Sequence, residues 1–191
     1  MTQPAASDEA ALFKHLIRSR RTVHEFSTQP VPDASVEAAL DLLRWAPNHH
    51  RTEPWRVYRL GPSAQRRIAE LNADMVRANR GERAAAVKLK RWLAMPGWLL
   101  MTCTTSDDGL RQQEDYAACC CAAQNMTLAL WADGIGAKWT TGDVVRHSEF
   151  PEIVGFSPEN EFVVGLFWYG YPAAVAEQQR RPPDDYVTDV G

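Results

Sequence analysis

"RSRRTVHEF", residues 18–26, gathers three arginines and then breaks the run with a threonine, a histidine and a phenylalanine. Just before it, Ser7 to Arg20 reads as a helix, with Leu12, Leu16 and Ile17 on one face and Asp8 and Glu9 near the start. Further on, "APNHHRTEPWRVY", residues 46–58, ends a second helix at Pro47, passes two adjacent histidines and Arg51, and enters an apolar stretch at Trp55. Arg20 and Arg21 offer guanidinium forks, Thr22 a hydroxyl, and His24 a further donor when protonated. Such a set suits a phosphate group, which takes several charge-assisted hydrogen bonds at once. The plainer reading is a solvated helix end whose arginines complement the dipole, and short basic clusters by themselves favour it. The loop at 46–54 has a plain reading too, with Trp55 as core and its histidines facing solvent.

Outward from these two stretches the chain alternates helices and strands without strict order. "PDASVEAALDLLRWAP" is a helix that Asp33 can cap, with Val36, Leu40 and Leu43 repeating on one face. "PWRVYRL", residues 54–60, reads as a strand, and residues 63–93 as two helical pieces broken near Gly81. "GWLLMTCTT", residues 97–105, is a short apolar run that reads as a buried strand. The longest helix runs from about Arg111 to Ala132 and is apolar nearly all round, which implies burial. Asp133-Gly134 ends it. "KWTTGD" then reads as a strand or extended loop, residues 144–154 as a short helix, "EFVVGLFWYG" as the last strand, and "RRPPDDYV" as an extended tail. The order points to an α+β fold and not to a doubly wound sheet.

With 191 residues, no linker, no low-complexity tract and no internal repeat, one domain spanning 1–191 is expected. A net charge of −3 steers the chain to neither nucleic acid nor anionic membrane, so any anion site is local. The first residues lack the layout of a signal peptide, and no apolar run approaches the roughly 20 residues of a membrane span. A cytoplasmic protein is the expectation. Cys119, Cys120 and Cys121 follow one another on a helix about 100° apart, so they converge on no metal and, like Cys103, read as small buried hydrophobes.

Dinucleotide, P-loop, zinc-protease and serine-hydrolase motifs are missing from the sequence. The five histidines lack metal-ligand spacing, and His49 and His50 would point apart on any regular element. With no nucleophile or acid–base pair in view, an enzyme here would need a cofactor to carry its chemistry.

Taken in order, Arg20-Arg21-Thr22-Val23-His24-Glu25-Phe26, "APNHHRTEPWRVY", Trp139-Thr140-Thr141-Gly142 and "FVVGLFWYGYP" resemble the flavin-dependent nitroreductases over nearly the whole chain. The resemblance implies a central mixed sheet flanked by helices, a homodimer with FMN in the shared interface, and NAD(P)H as electron donor to a small electron-poor acceptor. It places the FMN phosphate and ribityl chain on Arg20, Arg21 and Thr22, brings His49 from the neighbouring subunit, and sets Trp139, Thr140 and Thr141 along the flavin. Arg181 in the tail is a further phosphate contact it suggests. No side chain is implied as an essential acid or base. His24, Arg51 and Glu53 depart from the family pattern, and His24 exchanges a permanent charge for a pH-dependent one. Relatives with other flavin chemistry, a flavin binder without turnover, and a helical interaction module are the alternative readings.

Overall fold

A computed structural model of the protein describes residues 6–191, with the side chains of residues 6 and 7 left aside; the signal-peptide reading of residues 1–5 lies outside it. Four strands form one sheet in the order β1-β2-β4-β3, with β1 at Trp55–Arg59, β2 at Gly97–Thr104, β3 at Gly136–Thr140 and β4 at Glu161–Gly170. All three pairings are antiparallel. The expected mixed character survives only as an isolated parallel bridge between Thr22 and Ala137. There the segment after the first helix runs along the free edge of β3, and the Val23 N–H donates to the Ala137 carbonyl at 3.1 Å.

β2 is central, and its apolar run is buried along nearly its whole length because both faces of the sheet are covered. Alternation divides it: Leu99, Met101 and Cys103 face one core, while Trp98 and Leu100 face the other. The first core is closed by α2 (Asp33–Leu43) and α5 (Gly109–Ala132), through Val36, Ala39 and Leu43 from α2 and Ala122, Ala123 and Met126 from α5. The second is closed by α3 (Pro62–Arg80), α4 (Glu82–Leu93) and α6 (Phe150–Val154). Trp92, Trp98 and Trp168 meet edge to face in its middle, with ring centroids 4.9–5.6 Å apart. Gly81, at φ 81°, separates α3 from α4 where the sequence placed the break.

Several local expectations are corrected. The residue before α2 is Pro32, and Asp33 makes no capping bond. α5 begins earlier than the apolar pattern shows, because Asp108 caps it by accepting from the N–H groups of Leu110 and Arg111. α1 (Ala6–Ser19) does not bury the face its periodicity marks: Leu12 and Phe13 are 60% and 61% exposed. α5 is buried on one side only, leaving Tyr116, Ala117 and Cys121 exposed, so Cys121 is not a core residue. In both helices the single chain leaves apolar side chains uncovered.

β3 is locked to β4 by a close approach. A Cβ on Gly165 would lie 1.9 Å from Trp139 Nε1, which donates to the Val164 carbonyl at 3.0 Å. The indole therefore lies across the strand, beside Phe167. Gly165→Ala should displace it and destabilise the protein by about 1–3 kcal/mol, the usual cost of overpacking a tight core. Urea unfolding of the variant checks this, and an unchanged midpoint would show that the indole shifts freely.

Candidate functional site

The site is built around the β3 edge. α1 ends at Ser19, whose hydroxyl accepts from Trp131 Nε1 at 3.0 Å, so the start of the basic stretch is fixed against the end of α5. Arg20 is half-buried, and its pKa lies below the ordinary guanidinium value; burial is the largest cause, followed by the charges of Arg180 and Arg21. The charges of two further arginines, one of them from the tail, thus act on Arg20. The tail residue whose charge acts on Arg20 is Arg180, next in sequence to Arg181, the position the resemblance suggested. Thr22 and His24 line a small cavity of about 240 Å³ against residues 174–176 of the same tail.

On the sheet face opposite the Trp139 indole, a cavity of about 300 Å³ lies between β3, α3 and α4. Arg80, Lys88, Arg91 and Lys138 contribute four cations to its lining, and Asp143 the one carboxylate. Asp143 is paired with Arg146 at 2.9 Å. Lys138 lies over the Trp168 ring, 5.0 Å from its centroid. Its pKa is lowered, first by burial and then by the charges of Arg91 and Lys88. Two buried donors in its wall, Asn72 Nδ2 and Trp168 Nε1, have no hydrogen-bond partner among the described residues. A buried unpaired donor costs about 1–3 kcal/mol. Cations and unpaired donors together describe a receptor for an anionic ligand rich in acceptors.

Of the residues singled out in the sequence, Arg20, Arg21 and Thr22 gather beside β3, and Thr140 lines the cationic cavity. Thr141 lines a different cavity of about 760 Å³ with Tyr116, Arg146 and Phe162. Trp139 turns its ring to Phe167. His49 lies apart from all of these, in a depression against α5 lined by Glu114, Ala118 and Cys121. Sequence reasoning missed Lys138, Lys88 and Arg91. The available signals were strand alternation, which sets Lys138 on the face opposite Trp139, and the i,i+3 spacing of Lys88 and Arg91 on one helix face. It also held that adjacent histidines point apart. His50 adopts φ 61°, outside any regular element, and the two rings meet with centroids 3.9 Å apart.

The sequence profile of the Nitroreductase family matches residues 17–171, from the end of α1 to just past β4, and the chain belongs to that family. It is 28% identical over 188 residues to YfhC of Bacillus subtilis (strain 168), which carries the provisional name of NAD(P)H nitroreductase; the match covers 96% of each chain. A nitroreductase-like family protein from Bacillus cereus superposes with a TM-score of 0.83 at 27% identity, over 100% of this chain and 98% of that one. The FMN-dependent nitroreductase NfnB from Mycobacterium smegmatis, solved in complex with NADPH, shares the fold with a TM-score of 0.76 at 18% identity, over 96% and 100% of the two chains. As a family member the protein is an oxidoreductase.

Asn72→Leu keeps the side-chain volume and removes the unpaired amide. It should stabilise the ligand-free protein by about 1 kcal/mol while weakening whatever ligand the cavity holds. Urea denaturation with and without ligand separates the two effects, and a destabilised ligand-free variant would mean the amide is already satisfied.

Proposed function

We propose that this chain is an FMN-dependent oxidoreductase that passes electrons from NAD(P)H to a nitroaromatic, quinone or similar electron-poor acceptor in a ping-pong sequence. The observation that carries the reading is the convergence of Arg20, Arg21 and Arg180 beside β3, next to a cavity of unpaired donors and uncompensated cations. FMN has the matching chemistry: a dianionic phosphate for the guanidinium forks, and a ring edge rich in acceptors for Asn72, Lys88, Arg91 and Lys138. When bound, it supplies hydride acceptance from NAD(P)H and the onward reduction of the acceptor.

The protein's residues bind and orient. Arg20 and Arg21 clamp the phosphate with Arg180, and Thr22 adds its hydroxyl. Thr140 and the backbone at Trp139 line the ring and ribityl chain. The cations of the cavity favour negative charge that a bound ring acquires on accepting electrons, because they are fixed in place before it arrives. No side chain of this set is positioned as an essential acid or base. Donor and acceptor use one open face in turn, which is the structural meaning of ping-pong kinetics.

The uncovered apolar faces of α1 and α5 support a homodimer, since Leu12, Phe13 and Ile17 stand exposed near the exposed side of α5. His49 lies in a depression separate from the cations of its own chain, so it reaches the cofactor only from the second subunit.

The direct test is the visible spectrum of the purified protein with FMN, before and after anaerobic NADPH or NADH. We expect a flavin band that bleaches and returns when a nitroaromatic or quinone is added. A bound flavin that never bleaches would favour a binder without turnover, and no bound flavin would leave only the fold shared. In the double variant Arg20→Ala, Arg21→Ala, loss of two charge-assisted contacts should weaken FMN about 100-fold or more; unchanged flavin content would remove the phosphate clamp.

A further inference from the structure

The cationic cavity does not stop at the rim of α4. A groove of about 460 Å³ continues from it along α4, and the two share Arg80, Lys88 and Arg91. Arg83, Ala84 and Val87 complete the wall, so among the described residues the groove is lined by four cations and no carboxylate. Neighbouring arginines are treated differently. Arg66 pairs with Glu70 at 3.8 Å, and Arg77 pairs with Asp74 and, at 2.6 Å, with Glu82. Glu82, the acidic neighbour of Arg83, is thereby taken by a cation outside the groove. Arg80, Arg83, Lys88 and Arg91 form no ion pair among the described residues. The local sequence accounts for the layout. Gly81, at φ 81°, turns the chain between α3 and α4 and sets Arg80 and Arg83 on one groove. Ala84, Val87, Lys88 and Arg91 then recur at helical spacing, so α4 presents a single stripe to it. At about 1.5 Å per residue, Arg83 lies about 12 Å along the helix axis from Arg91. Val87, midway, is 64% exposed, an apolar side chain set among cations.

We propose that this groove holds the adenosine end of the electron donor and that Arg80 and Arg83 receive its 2′-phosphate, so that the donor is NADPH in preference to NADH. The inference rests on the functional reading above, which gives the cavity to the flavin ring and its open face to the donor. NADH and NADPH differ in that phosphate alone, and the phosphate is remote from the nicotinamide. Groups that tell them apart therefore lie outside the cavity that holds the ring. Arg83 meets this condition, since it lines the groove and not the cavity, and Arg80 stands at the junction of the two. Two guanidinium forks take several phosphate oxygens at once. Val87 offers the apolar contact that a planar base uses, between the cations at either end of the stripe. Arg83 is thus a specificity residue with no part in holding the flavin.

The test compares NADPH with NADH as anaerobic reductants of the FMN-loaded protein. Calorimetric titration with adenosine 2′,5′-bisphosphate and with 5′-AMP, which needs no turnover, runs beside it. We expect the bimolecular rate constant of flavin reduction to favour NADPH at least about 10-fold, the worth of one charge-assisted contact. The bisphosphate should bind more tightly than AMP by a similar factor. Arg83→Gln should cut both preferences at least about 5-fold while flavin content and the rate with NADH stay unchanged. Arg67→Gln, which removes an exposed α3 arginine outside the groove, should alter neither preference. Equal rates with the two donors, as when an acidic acceptor is what the groove takes, would overturn the inference. So would a preference that survives Arg83→Gln or falls as far in Arg67→Gln. If neither donor reduces the flavin, the functional reading fails and the titration still decides the groove. A 2′-phosphate preference lost in Arg83→Gln upholds it, and equal binding of the two nucleotides overturns it.

Discussion

Like charge held together without a counterion is the constraint on which the rest of this structure depends. Arg20, Arg21 and Arg180 lie beside β3, and Lys88, Arg91 and Lys138 lie across one of its faces. Burial and mutual repulsion lower the pKa of Arg20 and of Lys138 alike, which records free energy the folded chain gives up in the absence of a ligand. The rigid parts of the fold hold these groups in place: three tryptophans packed edge to face under Lys138, and a β3 edge bridged to Thr22. On the proposed function, an anion that enters this region gains interactions the protein has already arranged, and binding and electron acceptance share one site.

The same economy governs the helices. α5 gives the sheet a face of alanine and cysteine, small enough for close packing, and keeps Asp115 buried to tether the loop before β1. Its other face and the apolar side of α1 stand uncovered. The proposed homodimer would cover these faces, and the depression holding His49 lies beside the uncovered side of α5.

Much of this was legible in the sequence where one signal dominated. β2 and β4 are unbroken apolar runs, and their burial follows directly. Gly81 marked the break between α3 and α4 through its positive φ. Arg20, Arg21, Thr22 and Thr140 were singled out because they lie in contiguous motifs. Lys88, Arg91 and Lys138 were not, since only the packing of α4 against β3 brings them together, some fifty residues apart. The exposure of α1 was not legible, because periodicity reports which face is apolar and not what covers it. The histidine pair was misjudged for a different reason. Its convergence depends on positive φ at non-glycine residues, a conformation imposed by Asn48 and by the Thr52–Asp115 contact and not by local preference.

The measurement that bears most directly on the central claim is the affinity for FMN against riboflavin, which differ only in the phosphate, each at low and high salt. If the arginines beside β3 are a phosphate clamp, FMN binds at least about 100-fold more tightly than riboflavin, and added salt narrows the gap by screening the exposed part of the clamp. Equal affinities, or a difference indifferent to salt, would contradict the clamp and leave the gathered cations without the role assigned to them.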